Sequence, residues 1–241
     1  MTAERSAASA DRGRARQPLI LGVAVAALTG VFVKLWDSVG ENDATVRLDH
    51  RWTAWVVTHR SPGLIRVMRV VTHLADGWTI VVVVALTVVV LRVRRLPGAL
   101  LVVAATSSTA IVVGVVKSVV GRARPPAIDA ATAASGYAFP SGHSAQAAAC
   151  FGALGWIAAS KTRRRRAWVV LAGGFLTLIV MVGASRVVLG VHWFSDVVAG
   201  WTVGGAAVLC VLAVTSARGG QIAPIRRSRR NATRPGSTGS Q

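Results

Sequence analysis

Leu96–Val116 reads LPGALLVVAATSSTAIVVGVV, 21 residues without a single Asp, Glu, Lys or Arg. A helix rises about 1.5 Å per residue, so about 20 apolar residues cross a hydrocarbon core about 30 Å thick. Working outward, charge-free runs recur at Gln17–Val33 (17 residues), Gly77–Leu91 (15), Ser144–Ser160 (17), Ala167–Ser185 (19) and Val197–Ala217 (21). Five of the six are long enough as they stand. Gly77–Leu91 becomes so if the span starts near Val70 and takes His73 and Asp76 at its interfacial end. The β-branched run Val81–Val84 would favour a strand in water, but in lipid the backbone must satisfy itself and the run is read as helix. The expected fold is all-α: a polytopic membrane protein with six transmembrane helices.

Composition agrees. Of 241 residues, 53% are hydrophobic and 15% charged, and mean hydropathy is +0.53; ordinary soluble domains carry about 25% charged residues. A water-soluble enzyme and a disordered chain are both disfavoured. The two cysteines, Cys150 and Cys210, lie inside apolar runs with no metal-ligand spacing and read as apolar fillers.

The 28 basic against 9 acidic residues, a net charge of +19, could signal nucleic acid, so their placement decides. Arg5, Arg12, Arg14 and Arg16 precede the first run, and Arg92, Arg94 and Arg95 follow the second. Lys161 and Arg163–Arg166 join the fourth to the fifth, and Arg218, Arg226, Arg227, Arg229 and Arg230 follow the sixth. In six-span alternation all of these fall on one side, and the positive-inside rule makes it cytoplasmic. The expectation is a multi-pass plasma-membrane protein with both termini cytoplasmic. A basic tail (1–17) precedes a six-span domain (18–216), and a basic disordered tail (217–241) follows it. The tails read as disordered segments drawn to anionic lipid; a nucleic-acid arm is the alternative, without interleaved aromatics to support it. The first run could also be a signal peptide, though no small-residue cleavage site follows it.

Three short groups lie at the expected outer ends of spans three to six: Lys117 with Arg124-Pro125, Pro140-Ser141-Gly142-His143, and Ser185-Arg186 with His192 and Asp196. Singly, each has a bland reading: interfacial anchors, a helix-start hydrogen bonder, a structural His–Asp pair. Together they fix eleven positions on one side of the membrane. The chemistry they suit is phosphoryl transfer, whose transition state spreads charge over three oxygens. Lys117, Arg124 and Arg186 are three cations, two with the planar fork that grips a pair of oxygens. Ser141 and Gly142 open a helix whose free N–H groups can meet an anion. His192 is the candidate nucleophile, kept neutral by the nearby cations. Asp196, four residues on, can fix its tautomer. His143 can protonate the leaving oxygen and then activate water. No DDxxD pattern is present, so an enzyme without cofactor or metal, insensitive to EDTA, is expected.

These groups match the KxxxxxxRP, PSGH and SRxxxxxHxxxD signature, and the chain resembles the type 2 phosphatidic acid phosphatase family, whose superfamily includes vanadium haloperoxidases and glucose-6-phosphatase. The match covers Lys117 to Asp196, about a third of the chain, with no departure at a fixed position. The resemblance implies His192 as nucleophile, Asp196 as its partner and His143 as acid and base. It further implies Lys117, Arg124, Ser141, Gly142 and Arg186 as the phosphate cradle, and a helical bundle whose site faces the extracytoplasmic side.

The expected function is therefore hydrolysis of a terminal phosphate from a lipid phosphate or diphosphate in the bilayer. Polyprenyl diphosphate is favoured over phosphatidylglycerol phosphate and phosphatidic acid, and no nucleic acid takes part. Two alternatives stand beside it: a vanadate-dependent haloperoxidase using the same pocket, and a channel or transporter, which would want charges at mid-span. The sequence is silent on oligomeric state. Val46–Arg69 reads as interfacial helices at the lipid entrance, or as surface anchors, and Ala127–Tyr137 as a flap beside the pocket.

Overall fold

The structure, a computed structural model, describes residues 2–41, 44–162 and 164–217, with side chains described from residue 17 onward. Helices α1 (Thr2–Glu41), α2 (Ala44–His59), α3 (Pro62–Thr72), α4 (Gly77–Val93), α5 (Ala99–Val120), α6 (Gly142–Ser160), α7 (Arg165–Val188) and α8 (Phe194–Ala217) follow one another. Single 3₁₀ turns lie at His73–Ala75 and Ala127–Asp129, and there is no strand among the described residues. The all-helical expectation holds.

Among the described residues, four stretches are long and apolar enough to cross a bilayer: Gln17–Gly40 of α1, α5, α7 and α8. A fifth arises if α3 and α4 are taken as one span broken by a 50° bend at Asp76. Val70, where the second run was expected to begin, thus lies on α3, which meets α4 at an elbow. α6 has the length, 19 residues, but begins with His143, Ser144 and Gln146 and is rich in alanine and glycine. Its surroundings explain this. α6 packs against α5, α7 and α8, and Ala145, Ala147, Ala149, Cys150 and Ala153 are fully buried. Protein surrounds it, so it need not be as apolar as a lipid-facing span.

Small residues set the close approach of α6 and α8, as they do between membrane helices generally. A Cβ on Gly200 would come within 2.6 Å of the Ser141 carbonyl, and one on Gly204 would strike the Ala145 carbonyl. Large apolar side chains such as Leu19, Trp78, Val81, Val93, Ile111 and Val170 are exposed on the outside of the bundle. The backbone of residues 2–16, expected as a disordered tail, continues α1, in keeping with the helix preference of its Ala, Arg and Glu. The second basic tail lies outside the described residues beyond Ala217.

The turn at Pro97–Gly98 lies against Ile157, near the end of α6. The basic residues Arg92, Arg94, Arg95, Lys161 and Arg164 are therefore at the end of the bundle away from His143, which stands in the first turn of α6. The stretch 46–69, expected as interfacial helices, is helical and falls on α2 and α3, and α3 is the first limb of the bent pair. α3 is opened by Ser61, whose side chain accepts from the Leu64 N–H, and by Pro62 in its first turn.

Candidate active site

The first group is built where α5 stops. Gly121, at φ +62°, ends the helix with its N–H on the Lys117 carbonyl, and the chain turns outward through Arg122 and Arg124. The second is the start of α6, entered through a cis Phe139–Pro140 bond. The third is the corner between α7 and α8, where Gly190 (φ +68°) turns the chain to His192.

Asp196 knits the second and third groups. Its carbonyl accepts the Ser141 N–H (2.9 Å), and its carboxylate accepts the Trp193 N–H (2.9 Å) and faces His192 Nδ1 at 3.3 Å. On its other ring nitrogen, Nε2, His192 meets Arg124 Nη1 at 3.1 Å. A guanidinium can only donate and an ionised carboxylate can only accept, so the proton belongs on Nδ1 and the lone pair on Nε2. Burial pushes the His192 imidazole down to about 4, with Asp196 opposing and Arg124 and Arg186 adding to the fall. Cations alone were expected to keep this ring neutral; desolvation is the larger cause.

Arg124 also donates to the carbonyls of Ser135 (2.8 Å), Gly136 (2.9 Å) and Val191 (2.7 Å), and Lys117 Nζ donates to the Tyr137 carbonyl. Both cations thus hold the loop 127–137 over the site. Arg186 is buried; its Nη1 donates to Thr72 Oγ1 at 2.6 Å, and its Nε has no partner. The charges of Arg124 and Arg186 bear on both His143 and His192. At the start of α6, Ser141 is fully buried and its hydroxyl accepts from Ser144 N and Oγ, which leaves its own hydrogen to donate. With Ser141 N–H spent on Asp196, the first-turn donors left over are those of Gly142 and His143. A Cβ on Gly142 would touch only Val113 at 3.7 Å, so no neighbour in the chain demands glycine there.

Several residues the motifs do not contain also meet here. Arg122 Nη1 donates to Asp196 Oδ1 (2.6 Å) and Ser195 Oγ (2.8 Å), and its Nη2 donates to Asp49 Oδ2 (2.8 Å). Asp49, from α2, accepts the Ser195 N–H at 2.9 Å and also the Ser195 hydroxyl. Arg122 further lies over the Trp193 ring, 5.5 Å from its centroid. Arg60 donates to the carbonyls of Val188 (2.8 Å) and Asp129 (2.6 Å), and Arg69 to that of Ala131 (2.7 Å), strapping the loop 127–137 to the α2–α3 junction and to α3. Asp76 Oδ1 faces His143 Nε2 at 2.9 Å and its Oδ2 faces His73 Nδ1 at 2.6 Å. The only linear signal for these residues is their charge: acids are scarce in this chain, so each one near an apolar run is a candidate partner for a cation.

A family model described as the PAP2 superfamily matches residues 98–219, just over half of the chain. The chain belongs to the PAP2 superfamily. Phosphatidylglycerophosphatase B of Bacillus subtilis (strain 168) is 29% identical to this PAP2 member over 150 residues, 60% of this chain and 72% of that one. The crystal structure of the first transmembrane PAP2-type phosphatidylglycerolphosphate phosphatase from Bacillus subtilis matches with a TM-score of 0.70 at 25% identity, over 85% of this chain and 98% of that one. Aquifex aeolicus LpxE shares the fold, with a TM-score of 0.56 at 19% identity over 70% of this chain and 95% of that one. This PAP2 protein is accordingly a multi-pass membrane phosphatase, a phosphoric monoester hydrolase.

Proposed function

We propose that the protein removes the terminal phosphate of a lipid phosphate or diphosphate through a phosphohistidine on His192, at the extracytoplasmic face of a six-span bundle. The carrying observation is the polarity of His192: Nδ1 on Asp196 and Nε2 toward Arg124, within a buried pocket. The unpaired, buried Nε of Arg186 supports an anion as the missing partner, because such donors are rarely left unsatisfied. In the first step the Nε2 lone pair forms a bond to phosphorus while the bond to the leaving oxygen breaks. That oxygen carries away the electron pair and takes a proton from His143. In the second step water attacks phosphorus, gives its proton to His143 and releases the nitrogen. Lys117, Arg124, Arg186, the Ser141 hydroxyl and the Gly142 N–H hold the equatorial oxygens.

The six spans are α1, the α3–α4 elbow, α5, α6, α7 and α8. The basic connections Arg92–Arg95 and Lys161–Arg166 favour the cytoplasm for the end remote from the site. Among substrates, phosphatidylglycerol phosphate now stands ahead of polyprenyl diphosphate and phosphatidic acid, on the strength of the Bacillus relative's name. The test is phosphate release from purified samples of all three in detergent with EDTA present. The wild type is expected to turn over at least one and to form an acid-labile phosphoenzyme, and His192→Ala to do neither. Full turnover by His192→Ala would refute the nucleophile.

A further inference from the structure

Asp76 is the N-cap residue immediately before α4, where an aspartate ordinarily caps the helix by accepting a backbone N–H. Here its side chain makes no such bond. Both carboxylate oxygens are turned the other way, one to His143 and one to His73, across the 50° elbow between α3 and α4. The cap has been given up for an imidazole. With Nε2 on Asp76, the nitrogen of His143 left without a protein partner among the described residues is Nδ1.

Resting on the phosphohistidine reading above, we propose that Asp76 is the positioning residue of the general acid: it holds His143 by Nε2 so that Nδ1–H serves the leaving oxygen, and its charge sustains the imidazolium that gives up this proton. Once that proton has left, neutral His143 keeps its remaining hydrogen on Nε2, bonded to Asp76. Nδ1 then carries the lone pair that water's proton needs in the second step. One carboxylate therefore fixes the ring's tautomer for both halves of the reaction. The charges facing His143 are those of Asp76, with His73 behind it on the elbow, Arg186 on α7 and Arg124 beyond α5. Two cations oppose the imidazolium, and Asp76 is the carboxylate that offsets them. Asp76 is half-exposed and His73 largely exposed, so the pair also lies where solvent reaches the site.

The test uses the full chain in detergent and two substrates: the best lipid phosphate, whose alkoxide or phosphate leaving group differs in need of a proton from that of an aryl phosphate such as p-nitrophenyl phosphate. Asp76→Asn keeps the size and an acceptor but removes the charge; Asp76→Glu keeps the charge. In Asp76→Asn the alkaline limb of kcat/KM on the lipid substrate should move down by about one pH unit or more, and Asp76→Glu should restore part of it. His143→Ala should lose about 10²-fold or more in kcat on an alkyl lipid phosphate and much less on the aryl ester, which leaves without help. Asp76→Ala should follow the same pattern at smaller amplitude. Equal losses on both substrates with an unmoved pH profile would overturn the proposal and leave Asp76 a structural residue. If the wild type releases no phosphate from any lipid, or His192→Ala still turns over, the phosphohistidine reading of lipid phosphate hydrolysis itself fails and takes this inference with it. Those two measurements leave Asp76 intact, so the failures are distinguishable.

Discussion

At the scale of single residues, His192 and Arg122 carry opposite lessons. His192 is held near 4 by burial, well below an ordinary imidazole. The neutral ring is the nucleophile, so activity should be lost only as pH falls through about 4 and its lone pair is protonated. A profile of single-turnover phosphoenzyme formation, corrected for substrate ionisation, checks this; an acidic limb belonging to the enzyme near 6.5 would contradict it. Arg122 bridges two buried carboxylates, Asp49 and Asp196, with the two ends of one planar fork. Lysine cannot span both, so Arg122→Lys should lower kcat about tenfold or more with little change in KM and should lower Tm. Asp49→Asn should act in the same direction, and the double variant should lose less than the sum. The motif residues were legible because their spacing is fixed in one stretch of chain. Arg122 occupies a free position inside that spacing, and nothing in linear order joins residue 49 to residue 122, so the clamp behind Asp196 becomes visible only once α2 lies beside the α7–α8 corner.

At the scale of elements, the spans were legible wherever lipid dictates composition and obscure where protein replaces lipid. α5, α7 and α8 announce themselves by unbroken apolar runs. The elbow does not, because its bend falls at Asp76-Gly77, the very start of the charge-free run, where the charge pattern alone cannot show which way the chain comes in. α6 lacks the unbroken apolar run of α5, α7 and α8 since its neighbours are helices, and its small face is the price of their proximity. Gly200→Ala should therefore push on the Ser141 carbonyl at the head of α6, costing about 1–3 kcal/mol of stability by overpacking, with a lower Tm and a reduced kcat. Gly152→Ala is the control: its Cβ would meet Val208 at 3.6 Å, an ordinary contact, so stability should be kept or slightly raised. Thermal denaturation in one detergent, with phosphate release measured alongside, separates the two.

At the scale of the whole molecule, the orientation can be tested directly. With Cys150 and Cys210 replaced by alanine, a cysteine at Ile128, an almost fully exposed position on the outer loop, should react in intact cells with a membrane-impermeant maleimide. One at Thr162, between α6 and α7, should react only after lysis. The reverse pattern would invert the topology. A second consequence concerns inheritance. The recognisable family segment begins at residue 98, yet from before it Thr72 and Asp76 bond Arg186 and His143, Asp49 clamps Arg122, and Arg60 and Arg69 hold the backbone at Asp129 and Ala131. The chemistry and its scaffolding are thus written in two stretches of the gene that can drift at different speeds. A chimera that imports only residues 98–219 from a relative would keep the nucleophile yet acquire foreign walls and a mismatched acid.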